Sequence, residues 1–185
     1  GAEIPLARSF WLCKKAKRRR ALKHQVVRPA GEPPHVEFDV FEPKGETEVP
    51  GSTVTRAKAM CVACGAVLPP VRVRAQLTVQ RGGADAVFGA QGVRTGGARM
   101  LAVVTLKSSE PGRHYRLPNE RDYAAVRKTQ ARVARVLEDW KRGGKQGLCP
   151  VPDEQISTNE LRRISVPLYG MKTWGDLFTA RQKAA

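Results

Sequence analysis

Two cysteines set two residues apart are the part of this sequence best suited to chemistry. Cys61-Val62-Ala63-Cys64-Gly65 has the form of a zinc knuckle, in which a tight turn aims two thiolates and nearby amides at one ion and the glycine allows the turn. Metal sites and redox sites share this spacing, and a pair of inert thiols is a third reading. No βαβ pattern precedes the pair, which argues against thioredoxin-like exchange. A structural zinc takes four ligands, and the sequence holds no second CxxC and no His pair at finger spacing. The zinc site expected at Cys61 and Cys64 is therefore incomplete. Cys13 and Cys149 could complete it in space, although cysteine is among the most buried residue types and either suits plain packing. His24, His35 and His114 are isolated in sequence and read as structural.

A partial repeat suggests where the other ligands lie. Gly1-Ala2-Glu3-Ile4-Pro5-Leu6-Ala7-Arg8 matches Gly65-Ala66-Val67-Leu68-Pro69-Pro70-Val71-Arg72 in register, with Gly, Ala, Pro and Arg coinciding. Read as a repeat, Gly1 corresponds to the glycine that follows a CxxC, so a second cysteine pair is expected immediately upstream in the parent protein.

The other chemistry on offer is charge. Thirty-three Lys and Arg against 17 Asp and Glu give a formal net charge of +16, and such a potential attracts polyanions. Nucleic acid is the first candidate, with membrane headgroups and acidic proteins as alternatives. No run of about 18 apolar residues exists to span a bilayer, and no cleavable signal pattern opens the chain, so no membrane partner and a cytoplasmic location are expected. Four cysteines in 185 residues are too few for a disulfide scaffold.

The cations concentrate early. Between positions 14 and 28 there are eight basic residues and no acidic one. Lys14, Lys15, Lys17, Arg18, Arg19, Arg20 and Lys23 are the candidate nucleic-acid contacts, crowded at the turn of a predicted hairpin. Arg72 and Arg74, expected on one face of a strand after the knuckle, extend the patch, as could Arg56 and Lys58 before it. Such contacts hold a duplex through its phosphates without reading its sequence. A solvated charged turn is the competing account. Phe10, Trp11 and Trp140 read as core residues rather than platforms for bases.

The elements that must position these residues follow from pattern. Arg8 to Cys13 favours a strand through its aromatic and aliphatic content, and Ala21 to Val27 returns as its partner. His35 to Phe41 alternates with period two, the mark of a half-buried strand, and 42–52 is an exposed loop. Pro69 to Val79 alternates again and reads as a strand. Gly82 to Gly97 reads as a loop, Met100 to Leu106 as a buried strand. Asn119 to Lys141 is the one long helix: Tyr123, Val126, Val133, Val136, Leu137 and Trp140 share a face, Asn119 and Asp122 form an acidic capping box, and Gly143-Gly144 ends the run. Ile164 to Tyr169 suits a short strand and Trp174 to Lys183 an amphipathic turn or the start of a helix. The fold class expected is α+β: small antiparallel hairpins in a zinc-ribbon-like β region, one long helix in the C-terminal half, and an extended tail. The expected divisions are 1–106, the β-rich region with the basic hairpin; 107–147, the helical segment packing on it; and 148–185, a linker leading into the parent protein's next element.

Several of these segments together resemble a known family. Ala2-Glu3-Ile4-Pro5-Leu6-Ala7-Arg8-Ser9-Phe10-Trp11-Leu12-Cys13-Lys14-Lys15, the Cys61 to Gly65 knuckle and, most specifically, Tyr169-Gly170-Met171-Lys172-Thr173-Trp174-Gly175-Asp176-Leu177-Phe178-Thr179-Ala180-Arg181-Gln182 look like the zinc-ribbon-containing adenine-specific DNA methylases found near phage-defence genes. The resemblance spans nearly the whole chain as an internal region of such an enzyme. It implies a Rossmann-like methyltransferase fold for the parent, S-adenosylmethionine as its methyl donor, and transfer to the exocyclic amine of a DNA base. The family's glycine-rich cofactor motif would precede this segment and its Asp-Pro-Pro-Tyr motif would follow it. The ending Ala180 to Ala185 departs from the family, which has Pro at position 180 and an apolar continuation, and suits a truncated gene.

An amino methyltransferase must hold a weakly nucleophilic amine with acceptors while the flipped base stacks on an aromatic ring. No acceptor-Pro-Pro-aromatic turn occurs here, so no catalytic residue is assigned and this chain by itself is expected to be inactive. The function expected is that of a DNA-contacting insertion of a methyltransferase, partnered by the enzyme's other parts. The alternative is a stand-alone basic module that binds RNA or a protein.

Overall fold

The structure, a computed structural model, describes residues 2–159 and 164–184. In chain order its elements are strands β1 (Trp11–Cys13), β2 (Arg20–Val27), β3 (His35–Phe41), β4 (Val54–Thr55), β5 (Lys58–Met60) and β6 (Val67–Leu68), helix α1 (Pro70–Gln80), strands β7 (Ala86–Phe88), β8 (Arg94–Gly97), β9 (Val103–Lys107) and β10 (Glu110–Arg116), and helices α2 (Glu120–Arg142) and α3 (Ala180–Lys183). All the sheets are small and antiparallel, so the molecule is α+β with one long helix. It divides into two compact units, Gly1–Val73 with Met100–Pro118, and Arg74–Arg99 with Asn119–Ala185.

In the first unit β1, β2 and β3 form one sheet in that order. The β2–β3 register runs unbroken from Ala21 opposite Phe41 to Val27 opposite His35. Alternation then assigns the faces: Leu22 and Val36 are buried on the face that Phe10 covers, while Lys23 and Asp39 pair at 3.1 Å on the opposite face, exposed although Ala21 beside them is buried. Such an exposed cross-strand pair contributes roughly 0.2–1 kcal/mol. The core contributes more, since truncating a buried aromatic such as Phe10 to Ala typically costs about 3–5 kcal/mol. The His24 ring lies 5.2 Å from Phe10 and 6.4 Å from Phe38, and burial lowers its pKa below the ordinary histidine value.

A second sheet, β4-β5-β6, carries the cysteine pair between β5 and β6. Its β4–β5 connection is a two-residue turn in which Arg56 (φ 48°) and Ala57 (φ 63°) both adopt the left-handed conformation. Thr53, 2% exposed, binds the N-terminal segment to this sheet. It accepts from the Ala7 amide at 2.9 Å through Oγ1 and donates to the Pro5 carbonyl, while its own N–H donates to the Ala7 carbonyl at 3.0 Å. The β9–β10 hairpin completes the unit.

In the second unit α2 begins with the expected box. The Asn119 side chain accepts from the Arg121 and Asp122 amides at 3.1 and 3.3 Å, and Asp122 accepts from the Asn119 amide at 2.8 Å. Its inner face packs on the β7–β8 hairpin: Val126 is buried, Tyr123 meets Phe88 edge-on at 6.1 Å, Gln130 donates to the Ala86 carbonyl at 2.8 Å and Arg127 to that of Gly92 at 2.9 Å.

Four local expectations are corrected. Residues 69–79 are a helix, not a strand: Pro70 starts α1, and of its alternating apolar residues only Val73 is buried while Val71 and Val79 are exposed. Within 82–97 the chain forms the β7–β8 hairpin rather than a loop. The strand expected buried over 100–106 is instead β9, and Val104 and Leu106 are 52% and 79% exposed. Residues 166–169 form a short 3-10 turn rather than a strand.

Candidate nucleic-acid interface and cysteine knuckle

The basic cluster lies at the turn joining β1 to β2. That turn is a single 3-10 turn over Ala16–Arg18, closed by the Arg18 amide donating to the Lys15 carbonyl at 2.8 Å. The cations sort by position. Lys14, Lys15, Lys17 and Arg18 at the tip are exposed, and among the described residues only Lys14 of these four has a charged partner, Glu46 at 4.0 Å. Lys14 also sits 5.4 Å from the centre of the Trp11 ring.

Below the tip the cations are engaged within the fold. Arg19 donates to the Lys44 carbonyl. Arg20 donates to the Arg19 carbonyl and pairs with Glu42, both at 2.6 Å. Lys23 pairs with Asp39 and lies 5.9 Å from the Phe41 ring. A cluster that looks uniform in sequence is thus an exposed tip on a fastened stem.

Arg72 and Arg74 do not share a strand face. On α1 they stand two residues apart, which is about 200° around a helix. Arg72 is exposed. Arg74 lies over the Tyr169 ring at 5.7 Å, with its Nε buried and without a hydrogen-bond partner among the described residues. Arg56 lies in the β4–β5 turn and Lys58 directly after it, and both are exposed.

The Cys61 to Gly65 turn has the closed hydrogen bonding of a knuckle. The Cys61 amide donates to the Ala66 carbonyl and the Gly65 amide to the Cys61 carbonyl, both at 2.8 Å. Gly65 sits at φ 73°, where a side chain would be strained. Cys61 is buried and Cys64 exposed. Burial raises the Cys61 pKa, but the backbone amides of Ala63 and Cys64, the Cys64 thiol and the Arg28 charge outweigh it, and the thiol is held below its ordinary value. Amides aimed at a thiolate are what a metal knuckle requires, so the turn fits half of a zinc site. Among the described residues no group of three or more His, Cys, Asp or Glu side chains is placed to hold an ion. Gly1, to which the repeat assigns the place of Gly65, lies outside the described residues.

The Tyr169 to Gln182 run folds as a clasp in the second unit. Gly170, at φ 89°, packs so closely on α1 that a Cβ would come 2.9 Å from the Thr78 Cα. Gly175 lies under the Pro152 carbonyl, to which it donates at 2.7 Å. The Asp176 carboxylate accepts from the amides of Lys172 and Thr173, both at 2.8 Å, and its carbonyl accepts from Ala84 at 2.8 Å. Asp85 in turn accepts from the Ala180 amide at 3.0 Å. Among the described residues no helix is long and apolar enough to cross a membrane.

Sequence reasoning missed which cations are engaged within the fold, because partners such as Glu42 and Asp39 are distant in sequence. The β3 alternation does place Asp39 outward, and its register opposite Lys23 was the available signal. No family model, no curated protein and no solved structure matches the chain.

Proposed function

We propose that this chain is the nucleic-acid-contacting, zinc-ribbon-like region of an S-adenosylmethionine-dependent adenine-specific DNA methyltransferase acting in the cytoplasm. Its contribution is to hold DNA through the phosphates. The observation that carries this reading is the β1–β2 tip: Lys14, Lys15, Lys17 and Arg18 are exposed at one turn, on a stem whose own cations are paired. The backbone of the turn is pinned to a three-stranded sheet, so only the side chains remain to be ordered on binding.

Zinc, when bound, would rigidify the β5–β6 turn through the Cys61 and Cys64 thiolates, and the other two ligands would come from outside the described residues. S-adenosylmethionine would supply the methyl group in the parent enzyme. No residue of this chain is assigned to that step.

The test is binding of the purified chain to labelled duplex DNA, single-stranded DNA and RNA across a salt series. Duplex binding that weakens steeply with salt supports the reading. Absence of duplex binding at low salt defeats it, and preference for RNA would favour a separate RNA-binding module.

A further inference from the structure

We infer that the outward face of α2 is a second phosphate-contacting surface and that its occupant is the backbone of B-form duplex DNA. The inference rests on the nucleic-acid reading above but on different residues. Arg121, Lys128, Arg132 and Arg135 are all exposed. At about 100° per residue they fall within a band roughly 60° wide and about 21 Å long. This band points away from the face that Tyr123, Val126 and Gln130 press onto the β7–β8 hairpin.

A merely solvated helix face alternates its charges, so that oppositely charged neighbours three or four residues apart stabilise the helix. Here the neighbours are alike: Lys128 and Arg132 are four apart, Arg132 and Arg135 three apart. None of the four cations has an acidic partner among the described residues. Arg121 moreover stands in the first turn, at the positive end of the helix dipole, where a cation is unfavourable. One acidic residue, Asp139, continues the band one turn beyond Arg135, and its carboxylate pairs with Arg142 at 3.2 Å. Self-repulsion among the four cations is relieved by an extended anion.

The choice of duplex follows from what the face lacks. Single strands are held by aromatic rings on which bases stack, and the aromatics of α2 are turned elsewhere, Tyr123 onto Phe88 and Trp140 onto the Gln146 carbonyl at 3.2 Å. A rigid rod of charge without rings suits a polymer whose bases are already stacked. B-form DNA admits a helix to its major groove, whereas the major groove of duplex RNA is too narrow.

The experiment uses the full chain and a fluorescein-labelled 20-base-pair DNA duplex, with binding followed by anisotropy from low to moderate salt. R121Q/K128Q/R132Q/R135Q should bind at least tenfold more weakly at low salt, and its salt slope should fall in magnitude by about 3 to 4, near 0.9 for each lost phosphate contact. R121K/R132K/R135K should keep the slope, since it keeps the charge, and matching circular dichroism melts establish that α2 survives. If the Gln variant keeps the wild-type affinity and slope while K14Q/K15Q/K17Q weakens binding, the α2 inference is overturned and the hairpin reading stands. Loss confined to anionic vesicles, duplex RNA or single strands also overturns it. Wild-type protein that fails to bind the duplex overturns both.

Discussion

The Arg28 guanidinium donates to the Ala63 carbonyl at 2.5 Å, tying the residue after β2 to the loop between Cys61 and Cys64. The same charge helps hold the Cys61 thiol below its ordinary pKa. Arg28→Ala removes both the tether and the charge, so the Cys61 pKa should rise. In the metal-free protein, the pH profile for alkylation of Cys61, followed by peptide mass spectrometry, should move to higher pH. An unmoved profile would mean that the amides of Ala63 and Cys64 suffice.

Thr53 is predicted to be the fastening of the N-terminal segment. In Thr53→Val the Ala7 amide loses its side-chain acceptor and the Pro5 carbonyl its donor at a site 2% exposed. The expected loss is about 1–3 kcal/mol, read from the urea midpoint. Thr53→Ser keeps the hydroxyl and should recover most of it.

His24 should make the first unit acid-sensitive. Its folded pKa lies below the unfolded value because burial disfavours the imidazolium, so the unfolded chain binds more protons in the window between the two. Stability from this residue is full above about pH 6.5 and is lost as pH falls through the folded pKa. Thermal melts between pH 8 and 5 should show this decline, and His24→Gln should flatten it.

Zinc affinity separates a half site from a whole one. With Cys61 and Cys64 as the two ligands present, residues 1–185 should bind zinc weakly in competition with a colorimetric chelator, and C61S/C64S should abolish even that. Stoichiometric, chelator-resistant zinc would mean that Cys13, Cys149 or a second molecule completes the site.

The parts of the fold legible in the sequence are those where one local rule decided the outcome. β3 alternates cleanly because one face is core and the other water, and α2 carries both its box and its apolar stripe. The segment 70–80 misleads because Val-Arg-Val-Arg has the period and β-branching of a strand, yet only Val73 is buried and Pro70 is well suited to a helix's first turn. The β4–β5 hairpin carries no Asn-Gly signal, since Arg56 and Ala57 occupy left-handed positions that glycine usually fills. The basic cluster was legible as a cluster, but its division into tip and stem depends on Glu42, Asp39 and the Lys44 carbonyl, which only folding brings close.

That division supplies the most direct measurement of the central claim, the salt dependence of duplex binding by K14Q/K15Q/K17Q beside R20Q/K23Q. The tip variant should keep the wild-type melting temperature while its salt slope falls in magnitude by about 2.7, three phosphates at 0.9 each. The stem variant should lose stability through its broken pairs with Glu42 and Asp39 and keep the slope. A tip variant that binds duplex DNA with the wild-type slope would contradict the account.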